Sequence, residues 1–125
     1  MMDTTAAQAV IKDHVDNNDV VLFMKGTATM PQCGFSSRVS QILGFMGVSY
    51  KDVNILESDE MRQGIKDFSD WPTTPQLYVK GEFIGGCDIV TEMTLSGELD
   101  TMLKEKDVAF DEAAANQIRE HNKQA

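Results

Sequence analysis

Thiols are scarce in this 125-residue chain: Cys33 and Cys87 are its two cysteines, too few for a disulfide framework or a four-cysteine zinc site within one chain. Each must be read by its own surroundings. Long apolar runs are missing as well, none approaching the ~18 residues that cross a bilayer. The start, MMDTTAAQAVIKDH, has neither a basic leader nor a clean apolar segment before a cleavage site. The expectation is a soluble, cytoplasmic protein, or an organellar one after loss of a leader. Basic charge is short too: 11 basic residues against 20 acidic ones give a net charge of −9, which repels phosphate backbones and anionic lipid and argues against nucleic-acid or membrane partners. The excess is spread, with 9 basic and 16 acidic residues in 1–106 and 2 and 4 beyond, so no acidic tail carries it. His14 has charged neighbours on a first helix and His121 lies near the end, so neither suggests a metal site. There is no internal repeat.

What is present suits one compact domain. The length is below the ~150 residues typical of a domain, and 42% hydrophobic with 25% charged residues is ordinary for a globular protein. Ala7, Val10, Ile11 and Val15 recur at helical spacing. Val20 to Met24 is a short unbroken apolar run, the pattern of a strand buried on both faces. Val39, Ile42, Leu43 and Met46 mark the clearest helix, with Gly47 as its left-handed cap. Val48 to Ile55 reads as a strand, and Ser58 as the N-cap of a helix through Met61, Ile65 and Phe68. Trp71-Pro72-Thr73-Thr74-Pro75 breaks that helix. Leu77 to Val79 and Phe83 to Ile84 flank Lys80-Gly81-Glu82 as a tight hairpin. Asp88 suits the cap of a helix through Ile89, Val90 and Met93, and Leu95, Leu99, Met102 and Leu103 supply a last one. The order α-β-α-β-α-β-β-α-α, with an early βαβ unit and a late hairpin, implies an α/β fold with a mixed sheet covered on both faces. A domain over 1–106 is followed by a polar segment, 107–125, in which Phe110, Ala113 to Ala115 and Ile118 give only a weak amphipathic pattern. A mobile tail is expected there.

Cys33 lies at the start of the strongest helix, one loop after the buried strand. The unpaired amides of a helix N-terminus favour thiolate over thiol, and Lys25 at the end of the preceding strand adds positive charge if the loop folds back. A structural buried cysteine is the bland alternative; the loop lacks the bulky apolar neighbours for it. Three residues on stands Ser36, where a dithiol oxidoreductase needs a second thiol to resolve a mixed disulfide. Serine can hydrogen-bond the Cys33 sulfur but cannot form a disulfide, so the site suits a mixed disulfide or a metal–thiolate bond. Cys87 resolves Cys33 only if the fold brings the two together.

Lys25-Gly26-Thr27, Cys33-Gly34-Phe35-Ser36, Trp71-Pro72-Thr73-Thr74-Pro75 and Gly85-Gly86-Cys87-Asp88 stand in the order and spacing of the CGFS-type monothiol glutaredoxins, which the chain resembles over about residues 5 to 106. The resemblance implies a thioredoxin-like fold with a mixed four-stranded sheet, glutathione as cofactor, and a 2Fe-2S cluster bridging a homodimer. Cys33 is then both the reactive thiol and the protein's ligand to the metal. Lys25 and Arg62 match the positions that bind the glutathione carboxylates, and Asp88 the position that holds the γ-glutamyl ammonium. Cys87 contributes through its backbone. Gly34, Phe35 and Gly86 belong to the same matched motifs. Thr74-Pro75 matches a cis-proline pair whose backbone pairs with the tripeptide like a short strand.

Plainer readings stand beside these: Asp88 as helix cap, Arg62 and Lys66 as a solvated face, which is preferred for Lys66, and Trp71 as core. The family resemblance implies a cluster carrier or store, with BolA-like proteins and iron-sulfur apo-proteins among its partners. The rival is an oxidoreductase that reduces protein–glutathione mixed disulfides through Cys33. A third class, an interaction module working through the acidic surface, would tolerate loss of Cys33.

Overall fold

A computed structural model describes residues 3–124. Helix α1, Thr5–Asn17, buries Ala7, Ile11 and Val15 along one face and leads into strand β1, Val20–Met24, in which all five residues are buried. Helix α2 follows over Gly34–Phe45, then β2 over Lys51–Asn54, a 3-10 turn over Ile55–Glu57, α3 over Asp59–Ser69 and the hairpin β3, Gln76–Val79, and β4, Glu82–Gly85. Helices α4, Cys87–Ser96, α5, Glu98–Glu105, and α6, Glu112–Gln124, complete the chain. Among the described residues no helix is long and apolar enough to cross a membrane.

The four strands form one mixed sheet in the order β2-β1-β3-β4, with β1 parallel to β2 and antiparallel to β3. Because side chains alternate across a strand, β1 feeds two separate cores. Val20, Leu22 and Met24 pack with Leu77 and Val79 beneath α2, α4 and α5. Val21 and Phe23 pack with Val53 and Tyr78 against Ile11, Val15 and Ile65 of α1 and α3. Burial on both faces is what the unbroken apolar run of β1 requires. In the hairpin, Lys80 and Gly81 both take positive φ, 51° and 83°, the backbone of the two-residue turn whose twist matches the flanking strands.

Three boundaries move. The strand expected from Val48 begins only at Lys51, because Val48 closes the α2 cap: its N–H donates to the Leu43 carbonyl at 3.0 Å and that of Gly47, φ 69°, to Gly44 at 3.1 Å. The same strand ends at Asn54, whose side chain accepts the Leu56 N–H and turns the chain into the 3-10 turn. Leu95 belongs to α4 and not to the following helix, since Gly97 at φ 88° separates the two.

The larger difference is at the end. Where a mobile tail is expected, α6 is formed and docked. Asp111 starts it, donating its own N–H to the Met46 carbonyl at 2.7 Å and accepting the Ala114 N–H at 3.1 Å. Ala114 and Ala115 are buried, and Arg119 makes paired bonds to Asp100 at 2.8 and 3.2 Å and one to the Thr94 carbonyl at 3.0 Å. Two alanines and one arginine are a small signal in a polar sequence, yet with Ile118 packed on the core and Glu112 paired to Lys104 they dock the helix on the body of the domain.

Candidate functional site

Cys33 is the N-cap of α2, in extended conformation at φ −152° and ψ 135°. The loop before it is fixed from β2. Gly26 takes φ 92°, and a Cβ there would lie 2.5 Å from the Met30 carbonyl oxygen, so glycine is required. Its N–H donates to Asn54 Oδ1 at 3.0 Å, the Ala28 N–H donates to Asp52 at 2.8 Å, and the Gln32 N–H returns to the Lys25 carbonyl at 2.9 Å. These bonds fold the loop back and set Lys25 beside the thiol.

The Cys33 thiol ionises below its ordinary value of 9.0. The largest cause is the backbone amide of Ser36 in the first turn of α2. Partial burial opposes it, and the Phe35 N–H, the Ser36 hydroxyl and the charge of Lys25 add to it. Ser36 itself is fully buried, and its Oγ accepts the Lys25 N–H at 3.1 Å. It thus ties the end of β1 to the first turn of α2, beside the thiol. Cys33 remains half-buried, open to a reaction partner.

A groove of about 500 Å³ opens beside it. Cations enter from two elements, Lys25 at the end of β1 and Arg62 with Lys66 on α3; a carboxylate, Asp88, enters from the first turn of α4. Arg62 makes only an exposed contact to Asp59 at 3.6 Å, which is weak and leaves the guanidinium free to meet another carboxylate. The Thr74–Pro75 peptide is cis and lines the wall between α3 and α4. Gly86 comes close to that wall, where a Cβ would lie 3.2 Å from the Pro75 carbonyl oxygen.

Of the residues expected at the site, Lys25, Cys33, Phe35, Arg62, Thr74, Pro75, Gly86, Cys87 and Asp88 converge on this groove. Gly34 does not line it; a Cβ at Gly34 would meet nothing within 4 Å. Asp88 is not the cap of α4. That position is Gly86, Asp88 stands in the first turn, and no side chain caps the helix. Trp71 is not core: it is 39% exposed, packs on Phe83 at 5.9 Å between ring centroids, and lines the groove. Lys66 is exposed, as a solvated face requires, and stands on the groove wall with Arg62. Its spacing of four from Arg62 on one helix was the available signal. Cys87 is buried, with its sulfur 4.0 Å from Thr91 Oγ1. Among the described residues no group of three or more His, Cys, Asp or Glu could hold a metal ion.

Comparison with known proteins places this architecture. A family description, glutaredoxin, matches residues 20–84. The chain is 54% identical over 94 residues to "Probable monothiol glutaredoxin 2" of Rickettsia felis, covering 75% of this chain and 90% of that one. It is 50% identical over 105 residues to "Monothiol glutaredoxin-5, mitochondrial" of Saccharomyces cerevisiae, covering 82% and 70%. In three dimensions it is similar to a buckwheat glutaredoxin solved as a complex with glutathione, at a TM-score of 0.72 and 26% identity over 83% of this chain and 93% of that one. The thioredoxin-like sheet, the single thiol at the start of α2 with serine at the resolving position, and these likenesses agree: the chain belongs to the glutaredoxin family, among its monothiol members.

Proposed function

We propose that the groove binds glutathione and that the protein carries or stores a 2Fe-2S cluster in iron-sulfur assembly, the cluster being cargo shared by two protomers. The observation that carries this reading is a half-buried thiol, held below its ordinary ionisation value, on a groove with cations on one side and a carboxylate on another. Glutathione has two carboxylates and one ammonium. Lys25 and Arg62 supply charge for the former and Asp88 for the latter, while the Thr74 backbone offers pairing to the extended peptide.

The ligand set supports the dimer. A 2Fe-2S cluster is generally held by four thiolates, whereas the described residues offer Cys33 half-buried, Cys87 buried, and no cluster of ligating side chains. Two copies of Cys33 and two glutathione thiols complete the number. Ser36 agrees with this reading, since it stabilises the Cys33 thiolate without competing to form a disulfide. By family likeness, BolA-like proteins and iron-sulfur apo-proteins are the partners. A reducing compartment is needed to keep both thiols free; we place the protein in the cytoplasm, with the mitochondrion as the alternative raised by the yeast relative's name.

Purification without oxygen tests the reading. Expected is a coloured dimer containing iron and acid-labile sulfide, dependent on glutathione, lost in Cys33→Ser and largely kept in Cys87→Ser, whose thiol is buried. Equal loss in both variants contradicts the ligand assignment. A colourless monomer with brisk glutathione-dependent turnover would replace the carrier with the rival activity, reduction of protein–glutathione mixed disulfides.

A further inference from the structure

Behind the Trp71–Pro75 wall lies a polar side chain that the thiol chemistry does not use. Gln76 opens β3 and is 0% exposed, in a strand whose other interior residues include Leu77 and Val79. Its Nε2 donates to the carbonyl oxygens of Trp71 at 3.3 Å and Thr73 at 3.0 Å, while its Oε1 has no partner within the protein. An unpaired buried amide oxygen opposes folding, and an apolar side chain of the same length would carry no such cost. What the amide does supply is attachment. Trp71 and Thr73 are exposed residues of an irregular segment, and the other side-chain bonds to it both involve Ser69 Oγ, which accepts the Trp71 N–H at 3.1 Å and donates to the Trp71 carbonyl at a long 3.5 Å. That segment lies directly against the start of α4, where a Cβ on Gly86 would stand 3.2 Å from the Pro75 oxygen and 4.0 Å from the Trp71 indole nitrogen.

We propose that Gln76 is a positioning residue, whose two hydrogen bonds hold the Trp71–Thr73 wall against the α4 N-terminus and so set the groove for the tripeptide. The wall follows from the contacts above; its consequence for ligand rests on the glutathione reading. Gln76→Met keeps the length of the side chain and removes both donors. The freed carbonyls turn to water, so the domain stays folded while the wall loosens. Gln76→Glu keeps the shape, but its ionised carboxyl faces two carbonyl oxygens; once protonated it donates to one of them.

Trp71 is the one tryptophan of the chain, so acrylamide quenching of its emission reports the wall. Expected for Gln76→Met are a cooperative melt, stronger quenching, affinity for reduced glutathione weakened about tenfold, and an unchanged pH midpoint for alkylation of Cys33 by iodoacetamide. For Gln76→Glu, the affinity deficit relative to the native protein shrinks as the pH is lowered. A merely structural role would lower the melting temperature and leave quenching and affinity of the folded protein alone. Native quenching with native affinity in Gln76→Met overturns the proposal; should that variant not fold, the same readings on Gln76→Glu decide. If the native protein itself binds no glutathione, the ligand reading falls, and quenching alone decides whether Gln76 holds the wall.

Discussion

Replacing Ser36 by alanine separates two tasks performed by one hydroxyl. Its oxygen accepts the Lys25 N–H at 3.1 Å, and its hydroxyl is among the groups that hold the Cys33 thiol below its ordinary value. The first task is independent of pH. An amide that loses its acceptor costs about 1 to 3 kcal/mol when buried; Lys25 is half-buried, so the lower end applies, about 1 kcal/mol and a fall of about 4 °C in Tm for a domain of this size. The second task exists only while Cys33 is ionised. A thiol whose folded pKa is depressed stabilises the fold above its unfolded pKa, here the ordinary 9.0, and that contribution is lost as the pH falls through the folded pKa. The penalty of Ser36→Ala is therefore smallest in acid, where the amide alone counts, and grows as the pH climbs toward 9.0. Urea unfolding across a pH series reads the penalty, and the pH dependence of iodoacetamide alkylation reads the thiol directly. Its midpoint should move up yet stay below that of a free thiol, because the Ser36 and Phe35 amides remain. A penalty that is flat with pH, together with an unmoved alkylation midpoint, would refute the hydroxyl–thiolate bond.

Other substitutions test other parts of the molecule. Ser36→Cys supplies the missing resolving thiol and should raise exchange with glutathione mixed disulfides while making cluster occupancy sensitive to oxidants; a native exchange rate would show that a second thiol is not what limits turnover. Asp88→Lys should lose iron at low glutathione although Cys33 is intact. Because Gly86 and not Asp88 caps α4, the stability cost is limited to an unfavourable charge at a helix start, roughly 0.3 to 1 kcal/mol, and a fully loaded dimer indifferent to glutathione would sink the binding assignment. Arg119→Ala strands Asp100, whose side chain is 12% exposed. Removing one partner of a buried pair costs about 3 to 5 kcal/mol, and the Arg119 side chain, 20% exposed, brings this to about 2 kcal/mol, with faster amide exchange throughout 112–124 in hydrogen–deuterium measurements; unchanged protection there would mean that α6 docks without its arginine.

Local patterns in the sequence determine most of what has a period or a fixed spacing. The run Val20 to Met24 reads as a strand covered on both faces, the Val39 to Met46 spacing as a helix face, and Lys80-Gly81 as a tight turn, and each is found. Cys33 at a helix start, with Ser36 where a resolving thiol would stand, excludes a disulfide within that motif and leaves Cys87 to the fold. Contacts between distant segments were decided by the tertiary structure. Lys66 shares a helix face with Arg62 by spacing alone, but that face and Trp71 line the groove because α3 and the cis-proline wall face the start of α4. Asp88 is released from capping because Gly86 takes that place. The tail becomes α6 because Ala114, Ala115 and Arg119 find the Asp100 and Thr94 surface that α4 and α5 present; a helix with so small an apolar face draws its stability from docking rather than from its own pattern.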